Sequence, residues 1–472
     1  MTQRPKLSVS QDSEQNVDAN LLICPPETIF DLAVFEDTFR QKTHQPGNLK
    51  EKKAILVEEL HRLNELSRET LKAAIKENPY AAQKLKKSYT YLTDCLIFSV
   101  WKIAVHLLHK TASKTKTEKL SVLAVGGYGR CEMAPFSDVD LLFLTPYKIS
   151  PWSESVIESM LYMLWDLKLK VGHSSRTIKD CLRLGKVDFT IRTAMLEQRH
   201  VVGDSKLSKD LEKMLSENLF FGSEQEFIEA KLNEREARHE KQGGQRYMVE
   251  PNVKEGKGGL RDLHSLFWIT KYVHRVKTIG ELVHLGLFTK EEYKIFQRAE
   301  TFLWAVRSHL HLIANRASEH LSFDLQVEVA TAMKYQDKGG RRAVEYFMQD
   351  YFRHATSVGD LTRIFLTFLE ASHAKPAPLL QRILSKKPTM KPDYIVVHNR
   401  ISIKSTEHFL RDPLNLLRLF AEALRTGLLI HPDAMRLVAA NLRLMDDKLR
   451  RSPEAQRIFI DMMLKHGNPE RG

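Results

Sequence analysis

Between residues 48 and 78, leucines stand at 56, 60, 63 and 66, at spacings of four, three and three. That rhythm predicts a helix with an apolar face turned to a core. Asn78-Pro79 interrupts it, and a second helical stretch over 81–109 carries Leu92, Leu96, Val100, Ile103 and Leu107. The two predict a leading helical hairpin. The texture then changes. A polar connector at 111–119 gives way to Leu120-Ser121-Val122-Leu123-Ala124-Val125, a β-rich run that stops at Gly126-Gly127. A second apolar run over 139–144 ends at Thr145-Pro146. Residues 153–169 then show a helical face of Ile157, Met160, Leu161, Leu164 and Leu167, and 170–177 reads as a further strand. Strand, glycine turn, strand, helix and strand in succession predict a compact domain built on a sheet.

Beyond residue 205 the periodicity is helical again. A loop at 251–259 with three glycines interrupts it, and helices are expected at 260–276, 289–315 and 340–371. The segment 374–392 has proline at four positions and reads as a linker. After it, 394–398 and 401–403 suggest a hairpin, and helix follows from about 413. The first 20 or so residues are rich in Ser, Gln, Asp and Asn and lack the apolar content to fold. The expected division is a disordered tail at 1–24, a helical region at 25–110, a sheet-bearing domain at 111–205, a helical domain at 206–373, and linker, hairpin and helical tail at 374–472.

Lysine and arginine total 72 against 59 acidic residues, a net charge of +13. Such an excess favours polyanionic partners. The charges interleave, however, as in Lys50-Glu51-Lys52-Lys53 and Glu234-Arg235-Glu236-Ala237-Arg238, the pattern of solvated helix faces. No aromatic-rich motif for stacking RNA bases stands out, so nucleic acid is not the expected partner. The four cysteines lie far apart without a Cys-x-x-Cys pair, which argues against a disulfide framework or a thiolate zinc site. No uninterrupted apolar run approaches the roughly 20 residues that cross a bilayer, and the N-terminus has no signal-peptide core. A cytoplasmic location without membrane attachment is expected.

The chemistry concentrates in Val125-Gly-Gly-Tyr-Gly-Arg-Cys-Glu-Met-Ala-Pro-Phe-Ser-Asp-Val-Asp-Leu-Leu-Phe-Leu144. Transfer from a nucleoside triphosphate needs metal ions to neutralise phosphate charge, and hard magnesium prefers carboxylate oxygens. Along a strand, residues two apart face one side, so Asp138 and Asp140 project together while Val139 points into the core. Gly126 and Gly127, lacking Cβ, let the backbone approach phosphate oxygens closely, and Arg130 adds a guanidinium. The conjunction implies a magnesium-dependent nucleotidyltransferase.

This arrangement resembles the nucleotidyltransferase superfamily of the DNA polymerase β type: an α+β fold with a small mixed sheet, here embedded between helical domains. The longer string is similar to that of the protein-PII uridylyltransferases of bacterial nitrogen control (the GlnD family). A second passage, Val249-Glu-Pro-Asn-Val-Lys-Glu-Gly-Lys-Gly-Gly-Leu-Arg-Asp-Leu-His264, resembles the loop and helix start of that family's helical domain. The resemblance covers about residues 25 to 472. It implies two-metal transfer of UMP from UTP to a tyrosine hydroxyl of the trimeric PII protein, with release of pyrophosphate. Asp138 and Asp140 would hold Mg2+ and help deprotonate the tyrosine, and Gly126, Gly127, Arg130 and Ser137 would bind the nucleotide.

Two departures stand out. Many superfamily members have serine in place of Gly127, and most carry a third carboxylate on the later strand, where 171–177 has none. Asp188 is the candidate substitute. Full-length members continue into a phosphohydrolase domain that removes UMP and two glutamine-sensing domains. No His-Asp dipeptide occurs here, so removal and glutamine sensing are not expected of this chain. A catalytically silent regulatory module, or transfer to another acceptor such as RNA, are the alternatives. Four further assignments stay open. The loop at 254–262 is either a phosphate cradle or a glycine-rich helix cap. Glu132 either orients Arg130 through an ion pair or lies on the surface. His173 either contacts nucleotide or is structural. His309 and His311, two apart on a helix, are not expected to share a metal.

Overall fold

A computed structural model describes residues 18–110, 118–243, 248–276, 278–373, 391–397 and 400–465. Of the tail expected at 1–24, residues 1–17 lie outside the described residues, as do most of the polar connector and nearly all of the proline-containing linker. Residues 18–24 depart from the expectation, with Ala19–Leu21 in a helical turn and Leu22 buried in the core. The chain divides into two compact units, 1–279 with 294–358, and 280–293 with 359–472.

In the first unit, helices Pro26–Ile29 and Leu32–His44 precede the predicted hairpin, helices Leu49–Glu77 and Ala82–Ile103. Asn48 starts the first by accepting the Lys50 amide, a side-chain cap for an otherwise unpaired donor. Leu56, Leu60 and Leu63 are buried, as the spacing predicts, but Leu66 is 52% exposed. Ten residues after Leu56, at 3.6 per turn, it has rotated about 80° off the stripe, and Leu71 and Ile75 continue the core face instead. Helix Ala82–Ile103 with its continuation to Leu108 is long and apolar enough to cross a membrane, yet most of it is buried within the protein. It packs on Leu49–Glu77, on helix Pro151–Asp166 and on the sheet.

That sheet has four strands, β1 (Ser121–Ala124), β2 (Val139–Thr145), β3 (Val171–Thr177) and β4 (Arg199–Gly203), in the order β3-β2-β1-β4. β1 runs antiparallel to β2 and β4, and β2 runs parallel to β3. Both faces are covered. Leu141 and Phe143 of β2 enter the core shared with the hairpin. Leu142 and Leu144 enter a second core with Cys181, Leu211, Phe227 and Trp268. By strand parity, Asp138 and Asp140 lie on the side of this second core, just beyond its apolar end. The expected α+β character with a small mixed sheet is present. β4 was not anticipated: five residues, Arg-His-Val-Val-Gly, leave almost no alternation to read.

In the second unit, β5 (Tyr394–Val397) and β6 (Arg400–Ile403) form the expected antiparallel hairpin, and β7 (Leu429–Ile430) adds parallel to β6. Ile401, Phe409, Leu416 and Leu419 make its small core with helices Asn415–Thr426 and Pro432–Ala440.

One polar cluster ties the long helix to the sheet. Asp94 accepts both Arg199 nitrogens, at 3.0 and 2.9 Å, and the buried Tyr128 hydroxyl at 2.6 Å. Replacing Asp94 strands a largely buried guanidinium. Asp94→Ala is therefore expected to lower unfolding stability by about 3 kcal/mol, the low end for breaking a buried pair, as read from urea denaturation. An unchanged midpoint would show that the cluster contributes no stability.

Candidate active site

The end of β1 is tied to β2 by the Val125 amide, which donates to the Asp140 carbonyl at 3.0 Å. The chain then turns into a single helical turn, Gly126–Gly129, whose first amides have no partner within the helix. Gly126 has φ +59°, and a Cβ there would stand 3.0 Å from Asp140 Oδ2. On the other side, Gly172 faces Asp140 across the β2–β3 register, and a Cβ on it would come within 2.5 Å of Asp140 Oδ1. The Asp140 carboxylate thus sits in a slot between two glycines. Asp138, one residue before β2, receives Lys170 Nζ at 2.9 Å. Burial first, and the nearby Asp138 second, push the Asp140 carboxyl above its ordinary value, against the opposing charges of Lys254, Lys170 and Arg130. A carboxylate whose ionised form is disfavoured in this way is stabilised by a cation. Two such oxygen donors suit magnesium, which is commonly held by one or two carboxylates with the rest supplied by phosphate and water.

Both aspartates open into a cleft of about 720 Å3, within the roughly 300–1,000 Å3 usual for ligand pockets. Gly126, Gly127, Arg130 and Ser137 line it as well. Ser137 closes its own turn, its hydroxyl accepting the Ala134 amide at 2.9 Å. Arg130 lies behind the glycine turn, with Nε donating to Glu132 at 2.8 Å and Nη1 to Glu197 at 2.6 Å. Burial opposes its charge, but Glu197 and Glu132 outweigh that and push its pKa up. Glu132 is therefore no surface residue: Lys86 and Arg130 overcome its burial and hold it well below the carboxylate range. Burial and the Arg130 charge push His264, 3.3 Å from Glu132, down to about 3, so it is neutral.

The opposite wall comes from 224–319. Here the glycine loop resolves as structure rather than as a phosphate cradle. The first amides of helix Leu260–His274 are taken by the loop itself: Leu260 donates to the Val253 carbonyl, Arg261 to Lys254 and Asp262 to Gly259. Buried Asp262 accepts the Gly258 amide at 2.9 Å and meets His239 at 2.9 Å and Arg238. This ties the loop to helix Glu224–Lys241. Side chains of the loop and helix, among them Lys254, Glu255, Arg261 and Trp268, nevertheless reach the cleft. Trp268 donates to Glu197 and carries Lys231, Arg261 and Arg130 around its ring.

Asp188 is placed elsewhere: it caps helix Phe189–Leu196, accepting the Thr190 and Ile191 amides at 2.7 and 3.1 Å, and it is not among the cleft-lining residues. His173 is exposed at the cleft with its ring 6.5 Å from that of Trp165. His309 bonds the Pro79 carbonyl at 3.1 Å while His311 faces Glu319 at 3.5 Å, so the two do not converge. Among the described residues no cluster of three or more metal-ligating side chains occurs. Sequence reasoning missed Gly172, Glu197, Trp268 and the Arg307–Glu319 pair. The one local signal was a glycine two residues into β3, level with Asp140.

A mostly helical chain carrying this small mixed sheet is consistent with a nucleotidyltransferase-type domain. Comparison with known proteins carries this further. Residues 226–366 match the family model described as GlnD PII-uridylyltransferase, and 394–471 match the one described as uridylyltransferase GlnD third domain. The bifunctional uridylyltransferase/uridylyl-removing enzyme of Ruegeria pomeroyi is 64% identical over 395 residues, 84% of this chain and 43% of the relative. That of Cereibacter sphaeroides is 54% identical over 452 residues, 95% of this chain and 49% of the relative. The chain belongs to the GlnD uridylyltransferase family, and it spans about half the length of the curated relatives it matches.

Two outcomes follow from the slot. Gly172→Ala is expected to displace the Asp140 carboxylate and weaken Mn2+ binding, followed by paramagnetic relaxation, at least tenfold with no fall in melting temperature. Unchanged Mn2+ affinity would mean that the slot has no bearing on the carboxylate. Because burial and Asp138 both raise the Asp140 carboxyl, it protonates at higher pH than the roughly 3.9 of a free aspartate. Carboxyl 13C titration by NMR should show that value falling in Asp138→Asn, and no movement would exclude Asp138 as a cause.

Proposed function

We propose that this chain is a magnesium-dependent [protein-PII] uridylyltransferase of the DNA polymerase β type, working in the cytoplasm. In this reading it transfers UMP from UTP to a tyrosine hydroxyl of a PII signalling protein. The observation that carries the reading is the pair Asp138 and Asp140, presented side by side at the edge of β2 beneath the Gly126-Gly127 turn. The relatives are named for uridylyl transfer, and the matched family is that of the PII-uridylyltransferases.

The reaction balances simply. The tyrosine oxygen forms a bond to the α-phosphorus, the bond from that phosphorus to the bridging oxygen breaks, and pyrophosphate leaves with the electron pair. In this reading Asp138 and Asp140 help deprotonate the hydroxyl. Asp138 and Asp140 would hold the two magnesium ions, whose chemistry is neutralisation of triphosphate charge and activation of the hydroxyl. The unpartnered amides of Gly126 and Gly127 meet phosphate oxygens, with Ser137 fixing the turn that follows. Arg130 acts from behind the turn, where two of its N–H groups are committed to Glu132 and Glu197. Uridylyl removal is no part of this proposal.

The test is incubation of the purified chain with Mg2+, radiolabelled UTP or ATP, and either a PII protein or tRNA. Label should pass from UTP alone to PII alone, and Asp138→Asn and Asp140→Asn should each lower the rate at least a hundredfold. Label on tRNA would assign a different acceptor. No label from any nucleotide on a folded chain would return the site to a silent regulatory module.

A further inference from the structure

The charges that line the cleft are nearly all matched. Arg130, Lys170, Lys231, Arg238, Arg261 and Arg307 each have a carboxylate within 4 Å. The glutamates there, such as Glu132, Glu197 and Glu319, are taken by those same pairings or by Lys86. Among the described residues, two charged side chains of the cleft lack an ion-pair partner: Asp140 and Lys254. Both line the same cleft.

Lys254 is also held rigidly at its backbone. Its amide donates to Asn252 Oδ1 at 3.0 Å, its carbonyl accepts the Arg261 amide at 2.8 Å, and the preceding Val253 is fully buried. The side chain is partly buried, and burial first, then the neighbouring Arg307, push its pKa down. A cation so placed has no carboxylate of its own to neutralise it, and a partly buried charge is costly when left unpaired. It shares the cleft with Asp140, a carboxylate likewise without an ion-pair partner. An anion alone would relieve Lys254 but be repelled by Asp140, and a cation alone would do the reverse. A polyphosphate that brings its own metal satisfies both.

Resting on the nucleotidyltransferase reading above, we infer that Lys254 contacts the phosphate oxygens of the incoming metal-bound triphosphate. It does so from the wall opposite the glycine turn and keeps that contact on the departing pyrophosphate. Lys254 is then a substrate-binding residue supplied by the helical half of the site.

Calorimetric titration tests this with three probes: magnesium-UTP, magnesium-tripolyphosphate and uridine. Lys254→Met should weaken both polyphosphates by about ten- to a hundredfold, the range for losing a hydrogen bond to a charged group, and leave uridine unchanged. Lys254→Arg should recover most of the affinity. The melting temperature of Lys254→Met should equal or exceed that of the parent chain, because an unpaired charge has been removed. Undiminished polyphosphate affinity in Lys254→Met, or a loss matched by a fall in melting temperature, overturns the inference. If the parent chain binds tripolyphosphate through Lys254 yet labels no acceptor, the uridylyltransferase reading falls while Lys254 stands. If it binds no polyphosphate, both fall.

Discussion

The site depends on one buried guanidinium. Arg130 joins Glu132 in its own turn to Glu197 at the end of helix Phe189–Leu196. Through Glu132 it is linked to Lys86 of the long helix, and through Lys86 to Glu300. Buried ion pairs of this kind roughly break even against their desolvation, so stability alone does not account for five charged groups with so little exposure. What the network fixes is position. Four stretches of chain are joined in series through two cations, Arg130 with its planar, directional donors and Lys86, and the glycine turn is carried on the first. From the other side, Tyr128 pins the same turn to Asp94. A turn clamped from both ends holds its amides and the neighbouring carboxylates in fixed positions.

The same logic separates the two glycine-rich segments, which look alike in composition. In Gly126–Gly129 the first amides are left over, and the turn faces the cleft. In the loop before Leu260 the amides are consumed by the loop's own carbonyls and by Asp262. The second segment therefore contributes its side chains rather than its backbone. Glycine content records where the backbone bends tightly, and only the hydrogen-bond partners tell whether anything remains to bind a ligand.

How much of this was legible in the sequence depended on how local each determinant is. The carboxylate pair and the glycine turn sit within 15 residues, and strand parity alone puts Asp138 and Asp140 on one side. The helices and the 394–403 hairpin follow from periodicity for the same reason. Leu66 failed because a fixed three-to-four spacing drifts round the helix over ten residues. Gly172 makes sense only once β3 is known to run parallel to β2 in that register. Arg199 and Asp94 are 105 residues apart, and neither predicts the other. Asp188 was chosen for its charge and nearness along the chain, whereas its place is a helix start whose amides it satisfies. Lys254 was visible as one of many lysines, and its distinction lies in what its neighbours do with their own charges.

These partnerships also show why the sheet and the helices after it act as one piece. Glu197 belongs to the sheet-bearing stretch, yet its donors are Arg130 and Trp268, the latter on helix Leu260–His274. A sheet cut away near residue 205 would keep Asp138, Asp140 and the glycine turn, and would leave Glu197 with one donor fewer and the second core open where Phe227, Trp268 and Tyr272 close it. It would also lose Lys254 from the cleft. The family model matching 226–366 begins downstream of both aspartates. That helical segment accordingly forms one wall of the cleft, contributing Lys254 and the Trp268 ring that donates to Glu197.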